Sequence, residues 1–235
     1  MTKITARNSA GYKAPIGLAA DPVVFTVADG SLSVLLARRQ ESPARGRWAL
    51  PGGFAGAKED PAATVVRKLE EKTGVPPIYL EQLRTYAEPG RDPRGWLPSI
   101  AYLTLVPAAL LPPDGPHDAA WHPVDDLPRV AFDHERIVAD GLERIRGKLW
   151  YSNIAVGLLP EEFTIAEARE VYELLAGVRY DPANFSRDLR ASGLVRERRG
   201  LATHGGAGRP ARLFSFVSRE PTWTPRYARG TASQA

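Results

Sequence analysis

Residues 53–75 read GFAGAKEDPAATVVRKLEEKTGV, and no other stretch restricts the fold as tightly. It joins a glycine turn to a helix whose ends are both marked. Asp60 can cap the free amides of the first turn, Pro61 suits that turn with its fixed φ, and Gly74 suits the left-handed position after the last turn. Val65, Val66 and Leu69 supply one apolar stripe, so one face of this helix is expected to be buried. Residues 68, 71 and 72 stand at i, i+3 and i+4 and share another face, which here carries Lys68, Glu71 and Lys72.

The surroundings of that helix mix strands with a second helix. PVVFTVADGSLSVLLARR (22–39) reads as two β runs joined at Asp29-Gly30, a strong hairpin signal. WALPGGF (48–54) is expected to be a strand ending in a glycine pair, and LPSIAYLTLVPA (97–108) a further strand. AWHPVDDLP (120–128) introduces a helix around residues 133–147. Several strands around one central helix, with a second helix at the end, predict an α/β sandwich of about 145 residues. The 235 residues, 43% of them hydrophobic, suffice for one large domain or two modest ones. With no cysteine there is neither disulfide nor thiolate chemistry. The N-terminus lacks a signal-peptide core, and no run approaches the roughly 18 apolar residues of a membrane span. A soluble, cytoplasmic protein with no membrane partner is expected.

After LWYSNIAVGLLP (149–160) the pattern changes to short helices. Thr164 to Glu167 form a capping-box signature opening TIAEAREVYELLAG, which Gly177 ends. Asp181-Pro182 starts DPANFSRDLRASG, with Gly193 beyond its end. Two segments rich in β-formers follow, LVRERR (194–199) and ARLFSFV (211–217), separated by GLATHGGAGRP. Helix, turn, helix and hairpin is the order of a winged helix-turn-helix. The boundary is expected near Trp150, giving domains 1–149 and 150–235.

Charge supports a nucleic-acid surface at this end. The net charge is only +4, but residues 181–235 hold ten arginines against four acids. A solvated tail would account for Arg219 onward but not for the arginines before it. On the second short helix, Phe185 and Leu189 are expected to anchor the core. Ala183, Asn184, Arg187, Arg190 and Ala191 then point away, a composition able to read bases or hold phosphate. The preceding helix, with Glu167, Glu170 and Glu173, is too acidic to face phosphate and is placed as support. The hairpin adds Arg196, Arg198 and Arg199 on one strand and Arg212 on the other. Arg209, on a tip with Gly205, Gly206, Gly208 and Pro210, suits a narrow minor groove; a solvent loop is the alternative. His204 reads as a polar loop residue, and Trp223 and Tyr227 as local packing.

The spacing of residues 53–75 resembles the Nudix box, in which a helix holds divalent metal against a diphosphate. That resemblance implies three carboxylates on the face where Lys68, Glu71 and Lys72 stand. A protonated lysine cannot ligate Mg²⁺ and repels it. At an effective dielectric of about 20, one unit charge at roughly 4 Å contributes about 4 kcal/mol, and a divalent ion doubles this. The expectation is a site without catalytic residues, bound metal or cofactor. A slipped register using Glu59, Glu70 and Glu71 is the alternative, and would leave a hydrolase of a nucleoside diphosphate derivative. The remaining pocket residues are candidates for ligand binding. In the family Arg67 orients the box glutamates, and the turn at Gly52 and Gly53 lets backbone approach a ligand. Lys68 and Lys72 can attract a pyrophosphate. Arg39, Arg47 and Trp48 flank the turn, and Arg91 and Arg94 lie on the loop that faces it in the family's fold. Trp48 or Tyr86 is a candidate to stack on adenine, with core packing the alternative for Trp48.

GRWALPGGF, the altered box, AEPGRDPRG, LWYSNIAVGLLPEEFT and the closing GRPARLF together resemble the Nudix-related transcriptional regulators of the NrtR family. The resemblance covers nearly the whole chain. It implies a Nudix α/β/α sandwich followed by a winged helix-turn-helix, in a dimeric bacterial regulator of a pseudo-palindromic operator in double-stranded DNA. It further implies repression of NAD-biosynthesis genes and sensing of ADP-ribose or a related nucleotide without hydrolysis.

Overall fold

The computed structural model describes residues 17–73, 79–107, 118–201 and 211–220. It divides into two compact units. One comprises the described residues up to Phe25 together with Ser33–Gly141, the other Thr26–Leu32 and the residues from Leu142 onward.

The first unit is built on a mixed sheet. Its strands are β1 (Ala19–Ala28), β2 (Ser31–Arg38), β3 (Trp48–Ala49), β4 (Gly53–Phe54), β5 (Tyr79–Tyr86), β6 (Ser99–Leu105) and β7 (Ala119–Pro123). The order is β3-β2-β1-β6-β5, with β4 paired to β1 and β7 to β2. β1 and β6 run parallel over seven paired positions. The hairpin turn forms where expected, with Asp29 and Gly30 at φ 49° and 71°, the left-handed pair that matches strand twist. β1 is buried from Ala20 to Thr26 because both its faces are covered. Ala20 and Val24 pack with Val65 and Leu69 of α1 (Pro61–Thr73). Val23 and Phe25, on the alternate face, meet α2 (His134–Lys148) at Gly141, where a Cβ would come within 3.1 Å of both. Helices on both faces of one sheet give the α/β/α sandwich.

Three strand expectations change. WALPGGF is not one strand ending in a glycine pair but two short ones, β3 against β2 and β4 against β1, parted by the turn at residues 50–52. Residues 120–128 do not simply lead into a helix, since Ala119–Pro123 pairs with β2 as β7. β5, YLEQLRTY, went unread because in the sheet order it lies beside β6 alone, so its outward positions are polar and its apolar signal is sparse. The stripe on α1 is narrower than expected, since Val65 and Leu69 are buried while Val66 is only half-buried; Gly74 lies outside the described residues.

The second unit holds α3 (Ile165–Ala176), α4 (Pro182–Ala191) and a three-stranded sheet of order β8-β10-β9, with β8 Phe163–Thr164, β9 Val195–Leu201 and β10 Arg212–Phe216. Thr164 and Glu167 complete a reciprocal capping box on α3, and Gly177 closes it at φ 70°. The Asp181 side chain caps α4 by accepting from the Asn184 amide at 2.9 Å. Phe185 is buried against Trp150, Tyr172 and Tyr180, with ring centroids 5.3–5.7 Å apart. Full burial of a side chain such as Phe185 contributes roughly 1.5–3 kcal/mol, so this cluster fixes how α4 sits on α3. Asn153 donates to the carbonyls of Ser218 and Glu220 at 2.7 and 2.6 Å, tying the segment before the 3-10 turn Ile154–Gly157 to the chain that leaves the base of the wing.

Candidate functional site

A cavity of about 660 Å³ opens beside α1, the turn at Gly52 and Gly53, the end of β2 and the loop carrying Arg91 and Arg94. That volume suits a small-molecule ligand. It brings together Arg39, Gly52, Gly53, Arg67, Lys68, Glu71, Lys72, Arg91 and Arg94 of the expected set. Close approach requires glycine at position 52, where a Cβ would lie 1.9 Å from Asp21 Oδ1 and 2.6 Å from the Ala20 carbonyl, whereas one on Gly53 would meet, at 2.8 Å, Cε of the flexible Lys68 side chain.

Glu59, just before α1, and Glu71, on it, are already engaged. Arg67 grips Glu59 with two hydrogen bonds of 2.7 Å, and the Gly56 amide donates to the same carboxylate at 2.9 Å. These bonds, Arg67 first, pull the Glu59 carboxyl down to about 2. Glu71 accepts from Lys68 Nζ at 2.6 Å and from Arg67 at 3.0 Å, which hold it below the usual carboxylate range. The pairs are partly solvated and contribute little stability. Their consequence is chemical: the oxygens a metal would use point at cations. Glu70 is exposed and does not line the cavity, so the slipped set Glu59, Glu70 and Glu71 does not converge. Among the described residues no three His, Asp or Glu side chains gather to hold a metal. This donor set does not fit the hard dication that the Nudix fold implies.

Two cations on the wall lack a carboxylate ion-pair partner among the described residues. Lys72 Nζ donates to the Gly52 carbonyl at 3.2 Å, and burial, with Lys68 nearby, lowers its pKa. Arg39 donates to the Pro43 carbonyl at 2.8 Å and lies 4.7 Å over the Phe132 ring; burial and the neighbouring Arg94 lower its pKa. Removing both from water costs energy that a bound polyanion would offset. Arg94 is clasped by Asp92 and stands between the rings of Phe54 and Phe132, at 5.1 and 5.9 Å. Arg91 is committed to Asp133 through two bonds of 2.9 and 2.7 Å and to the Leu97 carbonyl, which fixes the loop. Its nearly buried side chain makes it a brace for the pocket.

Three candidates lie elsewhere. Arg47 lines a neighbouring depression with Pro43, Gly90 and Pro93. The Trp48 ring packs edge-on against His122 at 4.5 Å beneath Arg38, on strand β3, and does not line the cavity. Tyr86 is fully buried and donates to Asp140 at 2.6 Å. The aromatic rings that do line the cavity are Phe54 and Phe132, which no spacing rule marked. Sequence reading also missed the polar floor of Asp21 and His134, with the fully buried Ser99 behind it. Ser99 Oγ donates to Asp21 Oδ2 at 2.5 Å, and the Leu50 amide donates to His134 Nδ1 at 2.9 Å. These residues lie on β1, β6 and α2, far apart in sequence.

In the second unit, Asn184, Arg187 and Arg190 are exposed on α4, away from the buried Phe185 and Leu189. Arg187 meets only the adjacent Asp188, at 3.0 Å. Arg190 is more constrained, lying 4.8 Å over the Phe214 ring and 3.8 Å from Glu197. On the wing, Arg212 pairs with Glu197 at 2.6 Å, Arg198 with Glu162 at 3.0 Å, and Arg196 donates to Ser215 at 3.5 Å. Arg209 and its glycine tip lie outside the described residues. The Glu173 side chain is nearly buried, holding the Tyr180 amide, Arg179 and Arg169, so this acid of α3 is internal scaffolding.

Residues 18–141 match the NUDIX domain model, and residues 155–216 match the NrtR DNA-binding winged helix domain. The chain is 32% identical over 215 residues to the ADPR responsive transcriptional repressor NtrR of Acinetobacter baylyi, covering 89% of this chain and 85% of that one. It superposes on the crystal structure of Shewanella oneidensis NrtR complexed with a 27mer DNA at a TM-score of 0.73 and 35% identity, covering 85% of this chain and 93% of the other. The NUDIX domain of Shewanella oneidensis NrtR complexed with ADP ribose matches at a TM-score of 0.52 and 37% identity, covering 62% of this chain and 99% of the other. With a Nudix α/β domain followed by this winged helix, the chain belongs to the NrtR family of transcriptional regulators.

Proposed function

We propose that this chain is a DNA-binding repressor whose Nudix domain takes ADP-ribose as an effector and does not cleave it. The observation that carries this reading is the state of α1. Glu59 and Glu71 are consumed by Arg67 and Lys68, while Lys72 and Arg39 face the cavity without carboxylate partners among the described residues. Two cations can take up the charge of a diphosphate directly, the task a metal performs in a hydrolase. Relatives described as an ADPR-responsive repressor, and as complexes with ADP ribose and with DNA, support the same ligand and the same target.

On the DNA side, Asn184 and Arg187 would read bases, Arg190, Arg196, Arg198 and Arg212 would follow phosphates, and Arg209 would enter a narrow minor groove. A homodimer places two such helices on a pseudo-palindromic operator. ADP-ribose relieves repression only if it binds the arrangement that does not fit DNA more tightly. Control of NAD-biosynthesis genes is the target that joins this effector to a cellular pathway.

A gel shift on the DNA upstream of the chain's own gene, with and without ADP-ribose, tests the reading. A retarded band that ADP-ribose releases is expected, with much weaker retention of scrambled DNA. A band unaffected by saturating ADP-ribose would remove the effector; no band at low salt would remove the repressor.

A further inference from the structure

The cavity is lined mainly by cations, yet its floor holds one carboxylate in an unusual position. Asp21 is only 6% exposed and lines the cavity. The other acids there are engaged or solvated: Asp92 is clasped by Arg94, Glu71 by Arg67 and Lys68, and Glu41 and Asp118 are exposed. Asp21 Oδ2 is taken by the fully buried Ser99 hydroxyl at 2.5 Å, with His134 Nε2 a further 3.9 Å away. His134 Nδ1 accepts from the Leu50 amide, so its ring proton resides on Nε2, the nitrogen nearest that carboxylate. The Ser99 hydroxyl therefore holds one carboxylate oxygen, with the His134 N–H side nearby, and Oδ1 is the oxygen left over. It has no hydrogen-bond donor among the described residues, and Gly52 gives it room, since any Cβ there would stand 1.9 Å away.

An acceptor that opens onto a cavity gains most from a donor that a ligand brings to it. A phosphate cannot serve, because its oxygens would repel the carboxylate. A sugar hydroxyl is neutral, donates a charge-assisted bond and fits between polar walls. Asp21 also acts electrostatically on both Lys72 and Arg39, so it stands in range of the cations that would hold a diphosphate. We propose that Asp21, oriented by Ser99 and His134, is a sugar-hydroxyl subsite that selects a nucleoside diphosphate carrying a second sugar over one ending in phosphate. This rests on the effector-pocket reading and adds the residue that sets its specificity.

Calorimetry with ADP-ribose and with ADP, on the full chain and on Asp21→Asn and Ser99→Ala, tests it. The unaltered chain should prefer ADP-ribose by about 10- to 100-fold, the usual worth of one hydrogen bond to a charged group. Asp21→Asn should bring the two ligands within a few-fold, through weaker ADP-ribose binding and equal or tighter ADP binding. Ser99→Ala, which keeps the charge but frees its rotation, should give an intermediate preference. A purely structural Asp21 would weaken both ligands together. An unchanged ratio in Asp21→Asn overturns the proposal, and so does equal affinity of the unaltered chain for the two ligands, even if the variant fails to fold. Tight binding of ADP with none of ADP-ribose overturns it while leaving an anion pocket; binding of neither removes the effector reading as well.

Discussion

Helices α1 and α4 both carry basic side chains three or four residues apart, yet their surroundings give those charges different work. On α1, Arg67 and Lys68 are locked onto Glu59 and Glu71, and Lys72 lies half-buried on a cavity wall. On α4, Arg187 stands in solvent with a side chain 69% exposed and, among the described residues, only its sequence neighbour Asp188 for a partner. A buried, uncompensated cation awaits a small ligand that can enter its cavity. An exposed one suits a large polyanion arriving from outside, where long-range attraction and salt dependence dominate. The same residue type thus points to two ligands, distinguished by burial and by the nearest carboxylate.

Substitutions should separate these roles. Lys72→Glu places a like charge beside the expected diphosphate and should weaken ADP-ribose binding at least about 100-fold in calorimetry. Operator binding without ligand should be intact; a parallel loss would mean that α1 does not act as a separate receptor. Arg187→Ala should weaken operator binding about 10- to 100-fold, the worth of about 1–3 kcal/mol for a base contact, with ADP-ribose affinity unchanged. Unchanged operator affinity would remove Arg187 from the interface.

Two smaller effects sharpen the contrast. The histidines among the described residues, His122 and His134, both lie in the Nudix unit, and burial lowers the pKa of each. His134 is held neutral by the Leu50 amide on Nδ1. As pH falls below the ordinary histidine value of 6.5, the unfolded chain takes up a proton before the folded one does. Stability is therefore lost on acidification, by at most about 1.4 kcal/mol per pH unit for this group. Melting curves from pH 7 to 5.5 should show the decline, and His134→Gln, which keeps an acceptor but does not titrate, should flatten it. Arg190→Lys keeps the charge but loses the planar stack on Phe214, about 0.5–1 kcal/mol, and should lower operator affinity only a few-fold.

The legibility of the chain follows the same division. Local signals were readable: the Asp29-Gly30 turn, the Thr164–Glu167 capping box, the Asp181 cap and the Phe185–Leu189 anchor depend on neighbours a few residues away. The helix face of Lys68, Glu71 and Lys72 was readable for the same reason. The floor of the pocket was not, because Asp21, Ser99 and His134 meet only after β1 and β6 pair and α2 folds back; their types are ordinary and no spacing links them. Trp48 shows the converse. Its place beside the glycine turn suggested a stacking platform, but its ring packs on His122 of β7, a strand that pairs with β2 as β3 does. The edge strands β5 and β7 escaped notice because strands with little covered surface need few apolar residues.

The central claim is that cations have taken over the work of a metal, leaving a receptor. Phosphorus NMR of ADP-ribose mixed with the purified chain and Mg²⁺ or Mn²⁺ tests this most directly, since one spectrum reports both binding and cleavage. The expected result is a pair of diphosphate resonances that shift with protein concentration and persist for hours. Their replacement by the two monophosphate signals of AMP and ribose 5-phosphate, over many turnovers, would contradict it.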